Sequence, residues 1–163
     1  MHQLLLYIAK YLIFIIVLLA FVYWLTLPKR IKLESMLFGL IAGLITFALV
    51  KLGGAIYYDP RPFVAHGLTP LFPHGADNGF PSDHTALGAY VAFVIFSVNK
   101  RLGIILVILA TAIGLSRVIG HIHSPIDILG SILFAAIGYG VAWKFTPRLF
   151  KYLEGRYEHV QSN

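Results

Sequence analysis

The chain has 163 residues, of which 58% are hydrophobic and 12% are Asp, Glu, Lys or Arg, with a net charge of +6 and a mean hydropathy of +0.80. Soluble domains carry about a quarter charged residues, so this composition excludes a soluble single-core protein, which would lack the polar surface to cover so much apolar volume. Absence of cysteine excludes disulfides, thiolate metal sites and cysteine nucleophiles together.

Five apolar runs follow in chain order: Leu4–Leu25, Met36–Tyr58, His84–Val98, Leu102–Gly120 and Ile126–Trp143. At about 20 residues per crossing they predict an all-α fold, a polytopic transmembrane bundle of five or six helices forming a single integral-membrane domain over residues 1–163. The first run is uncharged from Tyr11 to Pro28, and no small-residue cleavage site follows it, which predicts a retained span. Gly39 and Gly43 in the second run predict close helix packing. The third run is 15 residues long, about 22 Å of helix against about 30 Å of hydrocarbon. It therefore borrows Asn99 to Arg101 or begins below the membrane surface.

Lys29, Arg30 and Lys32 follow the first run, Lys100 and Arg101 separate the third from the fourth, and Lys144, Arg148, Lys151 and Arg156 stand in the tail. These nine of the 13 basic residues fall on one side of the bundle, which the positive-inside rule makes cytoplasmic. The positive charge is a topology signal with anionic membrane lipid as its partner, and nucleic-acid binding is not expected. The expected setting is a multi-pass protein of the cell membrane.

The opposite face has a different chemistry. Between Asp59 and Asp127 it collects Arg61, His66, His74, Asp77, Asp83, His84, Arg117, His121, His123 and Asp127, a segregation of histidines and acids that a structural membrane protein does not need. Arg61 sits between prolines where the second run ends, and a planar guanidinium there suits a phosphate; the plainer reading is contact with lipid headgroups. Gly79-Phe80-Pro81-Ser82-Asp83-His84 opens the third run as a helix start, with free N–H groups turned outward to an anion and His84 placed to hand over a proton. The plainer alternative is ordinary capping with an incidental histidine. In Ser116-Arg117-x5-His123-x3-Asp127, the four-residue spacing lets the carboxylate fix the His123 tautomer and leave the other ring nitrogen basic, a candidate nucleophile. Against that stands a buried Arg–Asp pair with a spectator histidine. The segment 63–80 reads either as a lid dipping into the membrane or as a proline-stiffened connection in which His66 and His74 do nothing chemical.

Taken together, Arg61-Pro62, Pro81-Ser82-Asp83-His84 and Ser116-Arg117-x5-His123-x3-Asp127 resemble the three signature motifs of the type 2 phosphatidic acid phosphatase superfamily, over residues 51 to 127. The Ser82-Asp83-His84 form is similar to that of its bacterial undecaprenyl-diphosphate phosphatases. That resemblance implies a lipid phosphatase that uses no metal and no cofactor, with a lipid diphosphate or lipid phosphate as substrate and its active site on the outer face. It implies His123 as the nucleophile, Asp127 as its orienting partner, His84 as the acid, and Arg61, Ser82, Arg117 and the amides near Asp83 as holders of the phosphoryl oxygens. The family's first motif places a Lys seven residues before the Arg, where this chain has Gly54. Lys51, ten residues before Arg61, either reaches the same phosphate or merely snorkels within the bundle. A phosphatidylglycerol-phosphate or phosphatidate phosphatase is the alternative within this chemistry. A proton-coupled transporter and a non-catalytic lipid-phosphate binder are the alternatives outside it.

Overall fold

The computed structural model describes the backbone of residues 2–161 and side chains as far as residue 147, and in it every apolar run is a helix. In chain order these are α1 (His2–Thr26), α2 (Lys29–Ile56), the single turn α3 (Pro62–Ala65), α4 (Asp83–Val98), α5 (Lys100–Ile119) and α6 (Pro125–Gln161). Four of them, α1, α2, α5 and α6, are long and apolar enough to cross a membrane, and α4 is a shorter apolar helix of 16 residues. The all-α bundle expected from composition is what forms, and the sixth helix is a turn in a loop, not a crossing. Large apolar side chains such as Phe14, Leu18, Leu44 and Leu133 face outward and are more than half exposed, as a bundle bathed in lipid requires.

Helix boundaries depart from the apolar runs at two places. α2 begins at Lys29, well ahead of the expected Met36, because Pro28 fits just before a first turn and Arg30 pairs with Glu34 at 3.1 Å along the helix. The basic segment after the first run is therefore helical. α6 continues through Pro147 to Gln161 and does not stop near Trp143. The side chains of Arg148, Lys151 and Arg156, counted with the cytoplasmic set, lie outside the described residues.

α4 is the central element and packs against α1, α2, α5 and α6. Small residues permit this. The Tyr90 hydroxyl of α4 donates to the Gly39 carbonyl at 3.0 Å, and a Cβ at Gly43 would meet the same hydroxyl at 3.0 Å, so the Gly39–Gly43 pair does pack a helix interface. On the other side, Ile13, Ile16 and Ala20 of α1 meet Ala92 and Ile95 of α4 and Leu106, Ala110 and Ile113 of α5 in one apolar cluster. The α4–α5 connection is tight: Asn99 caps α5 by accepting from Leu102 N–H at 3.1 Å.

The loop from Asp59 to Ser82 is pinned across one end of the bundle. Oδ1 of Asn78 accepts from the N–H groups of Asp59 and Phe80, each at 3.0 Å, and its Nδ2 donates to the carbonyls of Gly54 and Tyr57, each at 2.9 Å. One side-chain amide thus closes the C-terminus of α2 and fixes the loop's return. Phe80 wedges between α2 and α6, meeting Tyr57 and Phe134 edge-on. α1 and α6 begin, α2 and α5 end, and α4 begins at this end. Lys29, Arg30, Lys32, Lys100 and Arg101 stand at the other.

Candidate active site

The turn after α5 positions the first element of the site. Arg117 O accepts from the N–H groups of both Ile122 and His123, and His121 takes a left-handed conformation (φ 59°) to make that reversal. The imidazole of His123 is thereby turned inward and is 3% exposed. Its Nδ1 lies 3.0 Å from Oδ2 of Asp127, and its Nε2 lies 3.3 Å from Nη1 of Arg61. Arginine has only donors, so Nε2 must be the acceptor and the ring proton sits on Nδ1, where it is donated to Asp127. Burial lowers the pKa of His123 below 6.5; the hydrogen bond to Asp127 opposes this, and the charges of Arg117 and Arg61 add to it.

Asp127 is fully buried in the first turn of α6. Its Oδ2 also accepts from Ser124 N–H at 2.9 Å, and its Oδ1 has no hydrogen-bond partner among the described residues. Ser124 in turn donates its hydroxyl to Asp59, closing the loop over the site. Gly79 passes so close that a Cβ there would lie 2.9 Å from Asp127 Oδ2 and 3.1 Å from Asp59 O. Only glycine fits at that crossing.

The two arginines are held differently. Arg61 donates through Nε to Asp77 Oδ1 at 2.7 Å, through Nη1 to Ile122 O at 3.1 Å and through Nη2 to Asn78 O at 3.4 Å, so its fork is locked in place. The Arg61 hydrogen bond lowers the Asp77 carboxyl pKa. Arg117, 3% exposed, donates through Nη1 to Ala9 O of α1 at 2.8 Å, and its Nε has no partner among the described residues. Arg117 is thus a buried guanidinium with an unused donor, and among the described residues it makes no ion pair with a carboxylate.

These groups wall a cavity of about 370 Å³. Of the residues singled out from sequence, Lys51, Arg61, Asp83, His84, Arg117 and His123 line it, with Asp127 directly behind His123. Ser82 does not line it: the residue is fully buried, and its hydroxyl accepts from Thr85 at 3.1 Å. Its backbone bonds to α6 instead, with Ser131 donating to Ser82 O at 2.9 Å. Lys51 is exposed on the cavity wall, one turn before Gly54, with Nζ 5.5 Å from the Phe47 ring centre. Gly54 is held small by Phe80 O, 3.1 Å from where a Cβ would stand. The charge missing from the first motif therefore sits one helical turn away, on the same wall.

Three residues gained a place that sequence reasoning had not given them. Asp77 orients Arg61, Asn78 clamps the loop, and His74 lines the cavity with its ring 6.4 Å from that of His123. The reading that His74 is merely part of a connection gives way to a position in the wall; His66 is exposed and does not line the cavity. Burial and the charge of Arg61 lower the pKa of His74. The signal for these three was only their residue type on the histidine-rich face, because loop contacts have no periodicity to read. Among the described residues no group of three or more His, Asp or Glu side chains is arranged to hold a metal ion.

With this geometry in hand, three similarities bear on the chain. The model of the PAP2 superfamily matches residues 32–151. Undecaprenyl-diphosphatase BcrC of Bacillus subtilis (strain 168) is 39% identical over 115 residues, which are 70% of this chain and 58% of that protein. Bacitracin transport permease protein BcrC of Bacillus licheniformis is 31% identical over 144 residues, 88% of this chain and 70% of that protein. The chain thus spans less than two thirds of the first relative's length and more of the second's. A match over most of the sequence, which takes in both arginines, His84, His123 and Asp127, places the chain in the PAP2 superfamily.

Proposed function

We propose that the chain is an integral-membrane lipid phosphatase that hydrolyses a polyprenyl diphosphate, such as undecaprenyl diphosphate, to the monophosphate through a phosphohistidine intermediate. The observation that carries this reading is the setting of His123: Nδ1 lies 3.0 Å from Asp127 Oδ2 and Nε2 lies 3.3 Å from Arg61 Nη1, which fits an unprotonated Nε2, in a cavity also walled by Arg117 and His84. The undecaprenyl-diphosphatase name of a relative supports the substrate class.

In the proposed reaction the terminal phosphoryl group rests against Arg61, Arg117 and Lys51, whose charges offset those of its oxygens as they grow in the transition state. The Nε2 lone pair forms a bond to phosphorus. The bond from phosphorus to the bridging oxygen breaks, its electron pair stays on that oxygen, and His84 supplies the proton. Asp127 balances the positive charge that the phosphorylated imidazole acquires. A water oxygen then attacks phosphorus, its proton passes to His84, the N–P bond breaks, and inorganic phosphate departs.

Orientation follows the charges. Lys29, Arg30, Lys32, Lys100 and Arg101 gather at the end away from the cavity, which by the positive-inside rule supports a single membrane domain with its cavity on the extracytoplasmic face of the cell membrane. α4 is short and starts at the cavity, which sets the reaction near the depth of lipid headgroups. A transport reading, open from the sequence and echoed by the permease name of the second relative, needs charged groups through the depth of the bundle. The buried charged groups here gather at one end instead.

The test is phosphate release by the detergent-solubilised chain from undecaprenyl diphosphate, phosphatidylglycerol phosphate and phosphatidate, for wild type and His123→Ala. Release from the diphosphate fastest, lost in His123→Ala, is the expected result. Full release by His123→Ala overturns the mechanism. Orthovanadate is expected to inhibit as a trigonal-bipyramidal mimic, and strong inhibition by EDTA contradicts a metal-free route.

A further inference from the structure

A second cavity of about 400 Å³ adjoins the first and shares His74, His84 and Arg117 with it. It adds Phe72, Pro73 and Gly75 of the loop and one charged residue, Lys10 of α1, which lies outside the residues matched by the superfamily model. Lys10 is half-buried in an apolar helix, and among the described residues it has no carboxylate partner; its Nζ lies 4.5 Å from the centre of the Phe72 ring. The guanidinium of Arg117 lies 5.9 Å from the centre of that same ring. Two cations thus share one aromatic ring; the Asp83 charge acts on Arg117 through space, but among the described residues neither cation is in an ion pair with a carboxylate, and an anion between them would join both. Arg117 is bonded to the carbonyl of Ala9, the residue before Lys10, which fixes α1 in register with the phosphate site.

α1 also borders an apolar groove beside these cavities. Ile13, Phe14, Val17, Leu18 and Phe21, following Lys10 along one stripe of the helix, line an apolar groove of about 600 Å³ with Leu87 of α4, and the groove ends at Asp83 and His84. His84 thus stands where all three spaces meet: the His123 cavity, the Lys10 cavity and the groove.

We propose that the Lys10 cavity is a second phosphate subsite, which holds the lipid-linked phosphate of a diphosphate while the His123 cavity holds the terminal one. This rests on the phosphatase reading. The isoprenoid chain occupies the groove along α1, the lipid-linked phosphate bridges Lys10 and Arg117, and the bridging oxygen lies at His84. When the bond to the terminal phosphorus breaks, the leaving group is the phosphate already neutralised by Lys10. A monophosphate lipid at His123 leaves this subsite unfilled, so Lys10 selects for two phosphates over one.

The experiment compares a prenyl diphosphate with the prenyl monophosphate of equal chain length, measuring kcat/KM for phosphate release by the full chain. Wild type, Lys10→Gln, Lys10→Arg and His123→Ala are used. The ratio of the two kcat/KM values does not depend on the fraction of protein folded, so a poorly folding variant still reports. Lys10→Gln is expected to lower the diphosphate-to-monophosphate ratio about tenfold, and Lys10→Arg to keep it within about threefold of wild type. An unchanged ratio in Lys10→Gln overturns the subsite, as does a Lys10→Arg ratio as low as that of Lys10→Gln. Retained release in His123→Ala counts against the phosphatase mechanism itself and leaves a different signature, since it does not alter that ratio.

Discussion

His123 and Asp127 meet through a single oxygen. Oδ2 of Asp127 accepts both from Nδ1 of His123, at 3.0 Å, and from the backbone N–H of Ser124, at 2.9 Å, while Oδ1 has no hydrogen-bond partner among the described residues. One carboxylate oxygen therefore sets the tautomer of the ring and the path of the turn that carries it, and the other adds charge without a hydrogen bond.

That asymmetry makes Asp127→Asn a clean probe of charge. The amide oxygen can replace Oδ2 in both hydrogen bonds and its NH2 can take the place of Oδ1, so tautomer and turn survive and the countercharge for a phosphorylated imidazole is lost. The expected outcome is a fall in kcat of about 10²–10³ with little change in phosphate or vanadate affinity. Asp127→Ala, which removes the oxygen altogether, is expected to lose about 10⁴. Steady-state rates with a parallel vanadate titration check both; an Asp127→Asn enzyme with wild-type kcat contradicts the role.

The pH dependence follows from the same ring. Burial and the two guanidiniums lower the His123 pKa from 6.5, so the bare Nε2 persists on the acid side of that value and is lost only as pH falls through the lower folded-state pKa. The acid limb of kcat/KM is expected below pH 6.5, and a limb above it contradicts the assignment. Stability has the same sign. His123 and His74 both have lowered pKa values, so below about pH 6.5 the unfolded chain binds protons that the native protein does not. The melting temperature in detergent is expected to fall between about pH 7.5 and about pH 5.5.

Gly79 has no chemistry of its own and should still be needed for activity. An added methyl would press on Asp127 Oδ2 and on the Asp59 carbonyl, at 2.9 and 3.1 Å, and Asp127 is fully buried. Gly79→Ala is expected to cost about 1–3 kcal/mol of stability and to lower kcat at least tenfold by displacing Asp127. Gly67, whose Cβ would meet nothing but whose φ is +62°, is the control: alanine there should cost only backbone strain and leave kcat unchanged.

Asn78 should behave as a structural clamp. Its amide makes four hydrogen bonds that join the C-terminus of α2 to the loop beneath Arg61. Asn78→Ala is expected to cost about 2–3 kcal/mol, measured as a drop of several degrees in melting temperature, and to raise KM through a loosened Arg61. Asp77→Asn keeps a hydrogen-bond acceptor for Arg61 Nε and, because Asp77 is 68% exposed, should raise KM only a few-fold.

Sequence by itself determined the membrane as solvent, the helices, the segregation of basic residues to one end, and the His123–Asp127 pair, because each rests on composition or on a spacing of a few residues that local geometry converts directly into a contact. Boundaries at Lys29 and beyond Trp143 escaped it, since polar residues can extend a helix past its apolar stretch. Only tertiary structure could bring Arg61 to the bare nitrogen of His123, hold Arg61 between Asp77 and Asn78, withdraw Ser82 from the cavity, and lay Lys10 over the same aromatic ring as Arg117. Those relationships reach across separations from 16 residues, between Arg61 and Asp77, to 107, between Lys10 and Arg117, and nothing in a linear chain encodes which loop will cross which helix end until the helices have packed.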